Sequence, residues 1–464
     1  MAIMRAAIAA GLWMVASQQA VAESGEREPD SATTLIDAGW TDLASAGRYA
    51  DAFASRTVPT GMPPEYAASY LGSGEVQLLD FTGRYLEAHQ RVAPEAYTSE
   101  GPVDMSGPDA VIDLEAVNTA VPQDAISAIR EIARGRQVVI LNESHQMGRH
   151  RAFAIELVRV LREDGFTHFG AEALSETAQA SWQTHGVPRR EAGFYFSDPL
   201  MGELLRTVDA AGYQWFNYEM RHDQGLDCTP AQCSHADRIA TRERAQASNI
   251  VDAVLGENPD ARLVLYVGLK HLDETPGLDE AGRPLGWMAA ELTRLTGIDP
   301  LTIDQVSGSG IGNARVGLLA RALRDRHSLT EPSVFRLDDG SYMAPPEERW
   351  MADIMVVFPR YAPVLGRAPW LFDRLNRLAV KIALEADPGR PMVLQAFRQP
   401  YEAGNLPADQ LAVLPTDTDF PVHLALEDGT YDLMLQIAGE PDRAYGQVEV
   451  YHGQARVSYA QPAQ

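Results

Sequence analysis

Between residues 121 and 305, short apolar runs alternate with amphipathic stretches, and this alternation limits the fold more than any other feature of the chain. Val138-Val-Ile-Leu141 has no polar residue, as expected of a strand buried on both faces of a parallel sheet. Phe166–Ala171, Tyr213–Tyr218, Arg262–Gly268 and Pro300–Ile303 read as further strands. The stretches between them carry a helical period. Asp124–Arg134 has Ile126, Ile129 and Ile132 as its stripe, with Gly135 as its stop. A second helix sets Phe153, Leu157, Val160 and Leu161 on one face and closes at Gly165. Leu204–Ala211, Ala236–Leu255 and Met288–Leu295 supply three more. Strands separated by helices imply parallel βαβ units. The predicted class is therefore α/β: a mainly parallel sheet flanked by helices, with a smaller β-rich C-terminal domain.

Four regions follow. Residues 1–22 read as a signal peptide: a basic start at Met1–Arg5, an apolar run at Ala6–Ala16, and the small-x-small pattern Ala20-Val21-Ala22. That run has about half the ~20 residues needed to span a bilayer, so a periplasmic or secreted protein with no membrane span after signal cleavage is expected. Residues 23–120 form an N-terminal, mostly helical segment, with helical patches at Thr34–Ala54 and Val76–Gln90 and a linker-like stretch over 96–110. Residues 121–360 form the α/β core, with Ile354–Phe358 as its last strand. Residues 361–464 form the β-rich domain, unless their strands extend the main sheet. Leu424–Leu426 and Tyr431–Ile437 read as a hairpin about Glu427-Asp428-Gly429, and His452-Gly453 joins a second hairpin.

A net charge of -25 argues against nucleic acid or an anionic membrane as partner, because both are themselves negative. A small-molecule or peptide substrate fits better. Cys228 and Cys233 are the only cysteines, and after export a small-loop disulfide is the expected state. A metal site would need further ligands, and only His222 and His235 flank the pair.

Ligands of open parallel sheets bind beyond the carboxyl ends of the strands. Four strands here stop at or near an ionisable residue: Glu143, Glu172, Glu219 and His271, with His145 two places past Glu143. Such groups must pair, bind something or face water. Seven of the eleven histidines lie between 145 and 271; His150, like His145 and His271, falls at a strand-to-helix turn. His168 sits inside a strand and reads as structural. His145 is suited to general base work at neutral pH, with Glu143 orienting it. Glu172 supplies a second carboxylate, and His271 an acid or a donor to developing charge. The same four side chains, Glu143, His145, Glu172 and His271, are also a conceivable ligand set for a divalent metal. Otherwise they form an ion-pair network closing the sheet top.

Val138-Val-Ile-Leu-Asn-Glu-Ser-His145, then His150, then Gly170-Ala-Glu172 resembles the superfamily of erythromycin esterases, ChaN-like haem-binding proteins and TIKI-type metalloproteases. Arg242-Glu-Arg-Ala-Gln-Ala-Ser-Asn249 and Leu265-Tyr-Val-Gly-Leu-Lys-His271 resemble its later helix and strand motifs. The likeness covers about residues 125–305. It implies a polar site of Glu143, His145, Glu172 and His271, lined or braced by Arg242 and Glu243. Asn142 stands where the family usually has Gly, and the Glu-x-His spacing is nearer the ChaN-like branch than the esterase branch. Two functions are expected from this: an exported hydrolase acting on an ester or amide bond, or a non-catalytic haem or iron binder using Tyr218 or His271 as axial ligand.

Overall fold

Each apolar run of the core becomes a strand of one six-stranded sheet. The computed structural model describes residues 39–460, apart from 56, 59–61, 63, 93–111, 173, 226–233, 276–285, 312–313, 347–350 and 418–420. The signal-like residues 1–22, the linker-like stretch over 96–110 and both cysteines lie outside the described residues. Two units divide the chain: residues 92–184 with 204–361, and residues 1–91 with 185–203 and 362–464.

In the first unit, β1 (Val121–Asp124) ends at Asp124, whose Oδ1 accepts from Ser127 N at 2.8 Å. That bond caps the helix Ala125–Ala133. The sheet contains β2 (Val138–Glu143), β3 (His168–Ala171), β4 (Gln214–Asn217), β5 (Leu263–Gly268), β6 (Leu301–Asp304) and β8 (Ile354–Met355), in the order β4-β3-β5-β2-β6-β8. Every pairing in it is parallel. β7 (Ser333–Arg336) lies outside it, antiparallel to β1. The two central strands, β2 and β5, are buried along their whole length.

Successive strand residues point to opposite faces. Val138, Ile140, Leu263, Leu265 and Val267 share one face. They pack against Ala247 and Ile250 of the helix His235–Ile250 and Leu292 of the helix Met288–Thr296. Leu141 and Glu143 of β2, with Tyr266 and Gly268 of β5, therefore look the other way. Toward that face the helix Gly148–Glu163 sends Arg151 onto Glu143.

The second unit is built on an antiparallel sheet. β9 (Leu378–Lys381) pairs with β12 (His423–Leu426). β10 (Met392–Arg398), β11 (Asp409–Val413), β13 (Gly429–Ile437), β14 (Arg443–Tyr451) and β15 (Gln454–Tyr459) form a five-stranded sheet. These strands do not extend the main sheet. The hairpin about His452-Gly453 is present as β14 and β15, with both turn residues at positive φ, as a tight two-residue hairpin turn requires.

The other expected hairpin is not. β12 pairs with β9, while β13 pairs with β10 and β14. Glu427-Asp428-Gly429 turns a corner between two sheets instead of reversing the chain, with Gly429 at φ 153°. Leu424, Leu426, Leu433 and Leu435 enter one apolar core from the two sheets, so an inward alternation alone does not tell a corner from a hairpin.

The N-terminal helices break at glycines. Trp40–Ser45 and Tyr49–Ala54 are separated at Gly47, and Pro64–Phe81 and Tyr85–Val92 at Gly83. A Cβ on Gly83 would stand 2.3 Å from Gln410 O, so no larger residue fits. These helices do not form a segment of their own: Trp40, Tyr49, Leu79 and Phe81 share a core with Val393, Ala412 and Ala438. No helix among the described residues is long and apolar enough to cross a membrane.

Buried Arg367 holds this unit together. It donates to both oxygens of Asp409, at 2.9 and 2.8 Å, and to His423 O at 2.6 Å. Removing one partner of a buried pair strands the other charge and costs about 3–5 kcal/mol. Arg367→Ala is therefore expected to lose about that much stability in urea unfolding, and Arg367→Ala with Asp409→Leu to recover part of it.

Candidate active site

The strand register brings the polar residues level. Glu143 pairs with Gly268 across β2 and β5, Ala171 with Tyr266 across β3 and β5, and Ala171 with Asn217 across β3 and β4. Glu143 and Gly268 end their strands, Glu172 follows β3 by one residue, and Glu219 follows β4 by two. All four stand at the carboxyl edge of the sheet, where a parallel arrangement leaves a crevice.

Glu143 is 1% exposed and accepts from three side chains. Arg151 Nε and Nη2 reach Oε2 and Oε1 at 2.9 and 3.2 Å. Tyr266 OH donates to Oε2 at 2.8 Å, and His145 Nδ1 lies 2.8 Å from Oε1. Burial alone would raise its pKa, but the Arg151 charge and the His145 hydrogen bond outweigh it and hold the group at about 2. An ionised carboxylate only accepts, so His145 presents Nδ1–H to it, and Nε2 is the basic nitrogen of the neutral ring. Arg151 Nη2 also bonds His145 O at 2.9 Å, fixing the backbone that carries the ring. The His145 side chain is 21% exposed.

The second cluster centres on Glu172 and His271. Glu172 Oε2 accepts from Gly268 N at 2.6 Å. Its Oε1 meets Arg242 Nη2 and, at 3.1 Å, His271 Nε2. His271 Nδ1 lies 2.7 Å from Glu243 Oε2, which also accepts from Met288 N at 2.9 Å, at the first residue of its helix. Burial opposes charge on the His271 ring, yet the carboxylates of Glu172 and Glu243 on either side raise its pKa to about 10. Burial likewise opposes ionisation of Glu172, which the charges of His271 and Arg242 hold well below the usual carboxylate range. His271 Nε2 is also 3.1 Å from Arg242 Nη1. With the ring protonated, its proton goes to Glu172. The nearby guanidinium is balanced by Glu219, which takes Arg242 Nε at 2.9 Å and Gln246 Nε2 at 3.0 Å.

Gly268 joins the two clusters. A Cβ there would stand 2.6 Å from His145 Nε2 and 3.0 Å from Glu172 Oε2, so both groups lie over the bare Cα. The backbone then turns sharply at Leu269, with φ 36° and its N–H on Glu143 O at 2.8 Å. Asn142 fixes this turn. Its Nδ2 donates to Leu269 O at 3.0 Å and Asp304 Oδ1 at 2.8 Å, and its Oδ1 accepts from Gln305 N at 2.7 Å.

The four candidates Glu143, His145, Glu172 and His271 thus meet in one cluster, braced by Glu219, Arg242 and Glu243. His150 does not join it. Fully buried, with burial and Arg149 pushing its pKa well down, it accepts from Ser144 N at 3.0 Å and bonds Ser309 Oγ at 2.7 Å. It braces the backbone beneath His145. His168 bonds Gln214 Oε1 at 3.1 Å on the neighbouring strand.

Three residues absent from the sequence-based set prove central: Arg151, Tyr266 and Gly268. Two carried a readable signal. Arg149 and Arg151 sit in the first turns of a helix with no acidic residue in its first turn, where the dipole disfavours cations, so an acidic partner was needed. A tyrosine inside a buried strand must also find a partner for its hydroxyl.

The donor atoms do not fit a metal centre. Both oxygens of Glu143 and of Glu172 and both nitrogens of His271 are engaged by protein groups, and His271 carries a proton. Among the described residues, no group of three His, Cys, Asp or Glu side chains is disposed to hold a metal ion. Haem ligation through Tyr218 or His271 meets the same obstacle, since buried Tyr218 OH donates to Tyr266 O at 3.0 Å.

No family model and no curated protein matches the chain. Among solved structures it is similar to the type III effector HopBA1, at 12% identity and a TM-score of 0.30, over 53% of this chain and 98% of that one. It is similar to RRSP, a MARTX toxin effector domain from Vibrio vulnificus CMCP6, at 14% identity and a TM-score of 0.31, over 57% of this chain and 55% of that one. It is also similar to the C-terminal region of Pasteurella multocida toxin, at 10% identity and a TM-score of 0.33, over 86% of this chain and 58% of that one. At such overlaps the likeness carries no argument about chemistry.

The His271 pKa has a consequence for stability. A group raised from 6.5 to about 10 stabilises the fold fully below pH 6.5 and loses that contribution as pH climbs toward 10. Thermal unfolding of the wild type against His271→Gln should show a gap that narrows across this window. Glu143, held at about 2, acts at the acid end: its contribution is complete above pH 4.5 and fades toward pH 2.

Proposed function

We propose that this chain is an exported hydrolase of the erythromycin esterase, ChaN and TIKI type, in which His145 activates water against an ester or amide carbonyl. The observation that carries the proposal is the Glu143–His145 pair: an ionised carboxylate, fixed by Arg151 and Tyr266, bonded to the Nδ1 of a partly exposed imidazole. Such a carboxylate sets the tautomer and steadies the imidazolium that forms when Nε2 takes a proton. Water gives that proton to His145 Nε2, its oxygen attacks the carbonyl carbon, and the imidazolium then protonates the leaving group. Glu172 lies beside Nε2 across Gly268 and steadies the charged ring further. His271 and Arg242 place positive charge beside the crevice, which favours the oxygen that gains negative charge through the field and not through a hydrogen bond from the His271 ring. The signal-like residues 1–22 support an exported location.

The donor sets above favour hydrolysis over haem or iron binding. Turnover on ester and peptide libraries should persist in EDTA and fall about 10²–10⁴-fold in His145→Ala. Gly268→Ala should lose activity comparably, since its methyl group would displace the His145 ring. Full activity in His145→Ala, or a Soret shift at micromolar haemin together with no turnover on any library, would sink the proposal.

A further inference from the structure

The turn that carries His271 contains a residue whose conformation works against its chemistry. Leu269 stands at φ 36°, a left-handed backbone that glycine takes freely and that a side chain of this size resists. Packing does not offset the strain. The Leu269 side chain is 43% exposed, whereas Leu272, three residues on, is fully buried in the core under the sheet. Hydrogen bonds hold the strained form: Leu269 N donates to Glu143 O, and Leu269 O accepts from Asn142. The leucine is thus kept on the surface between Gly268, over which the His145 ring lies, and His271.

Other apolar groups are tied to the segment just beyond it. Met351 is 54% exposed, and its backbone is bonded to Asp273 Oδ1 at 3.1 Å and to Glu274 N at 3.2 Å, just beyond His271. Trp287 meets the His271 ring edge-on at 5.8 Å. Apolar side chains thus flank the turn that carries His271. Strain held in the turn between Gly268 and His271, without burial in return, points to a role for the side chain outside folding.

We infer that Leu269 is a specificity-determining residue: it presents an apolar surface to the part of the substrate next to the bond offered to His145. The substrate class is then an ester or amide with an aliphatic or aromatic group beside the scissile carbonyl. The chemistry rests on the hydrolase proposal, but the recognition can be measured without turnover.

The test uses the full chain carrying His145→Ala, alone and with Leu269→Gly. Both are titrated by calorimetry with N-acyl glycinamides from acetyl to decanoyl. Affinity in the parent should rise about tenfold or more along the series, and that rise should shrink to less than about threefold with Leu269→Gly. The melting temperature of Leu269→Gly should be no lower than that of the parent, because glycine relieves the strain. Affinity independent of acyl length, absence of binding, or an undiminished rise in Leu269→Gly overturns the inference. So does a clear fall in melting temperature, which would make Leu269 a packing residue. If the length dependence is found and lost as expected while the wild type hydrolyses none of the matching esters, the recognition stands and the hydrolase proposal falls.

Discussion

The core of this protein depends on keeping one buried carboxylate charged. An isolated charge in a protein interior is too costly to persist, so Glu143 requires Arg151, Tyr266 and His145 together. Each donor comes from a different element: Arg151 from the helix Gly148–Glu163, Tyr266 from β5, and His145 from the turn between β2 and that helix. Meeting all three fixes the register of β5 on β2, the seating of the helix and the path of the turn. The same residues that satisfy the charge thereby build the crevice.

Two of the carboxylates at the sheet edge repeat a theme with opposite outcomes. Glu143 and Glu172 are each bonded to one arginine and one histidine. His145 is bonded to Glu143 and is partly exposed. His271 lies between two carboxylates, is nearly buried, and is held as a cation. Environment thus separates two chemically identical rings, one partly open to solvent beside Glu143 and one fixed as a positive charge.

Much of this was legible in the sequence because strand ends are local features. Largely apolar runs that stop at or near Glu143, Glu172, Glu219 and His271 reveal both the parallel sheet and the edge where polar groups gather. Partnerships across the chain were harder to see. Nothing near Glu143 announces Tyr266, 123 residues away. His150 shares the turn with His145, but its ring is bonded beneath that turn, to Ser144 N and Ser309 Oγ. In the second unit, the alternation of Tyr431, Leu433 and Leu435 shows which side faces the core, not which strand lies alongside. The N-terminal helices pair with a sheet more than 300 residues later in the chain, and amphipathicity does not name a partner at that distance.

Glu243 serves two masters. Its Oε2 holds His271 Nδ1 and also the first amide of the helix Met288–Thr296. One oxygen therefore ties the orientation of an imidazole to the anchoring of a helix whose Leu292 packs beneath the sheet. Transplanting Glu143, His145, Glu172 and His271 onto another parallel scaffold would leave His271 adrift unless that helix travelled with them. The smallest portable form of this crevice is that quartet with the Arg151 and Tyr266 that hold Glu143, together with the helix that shares the counterion of His271.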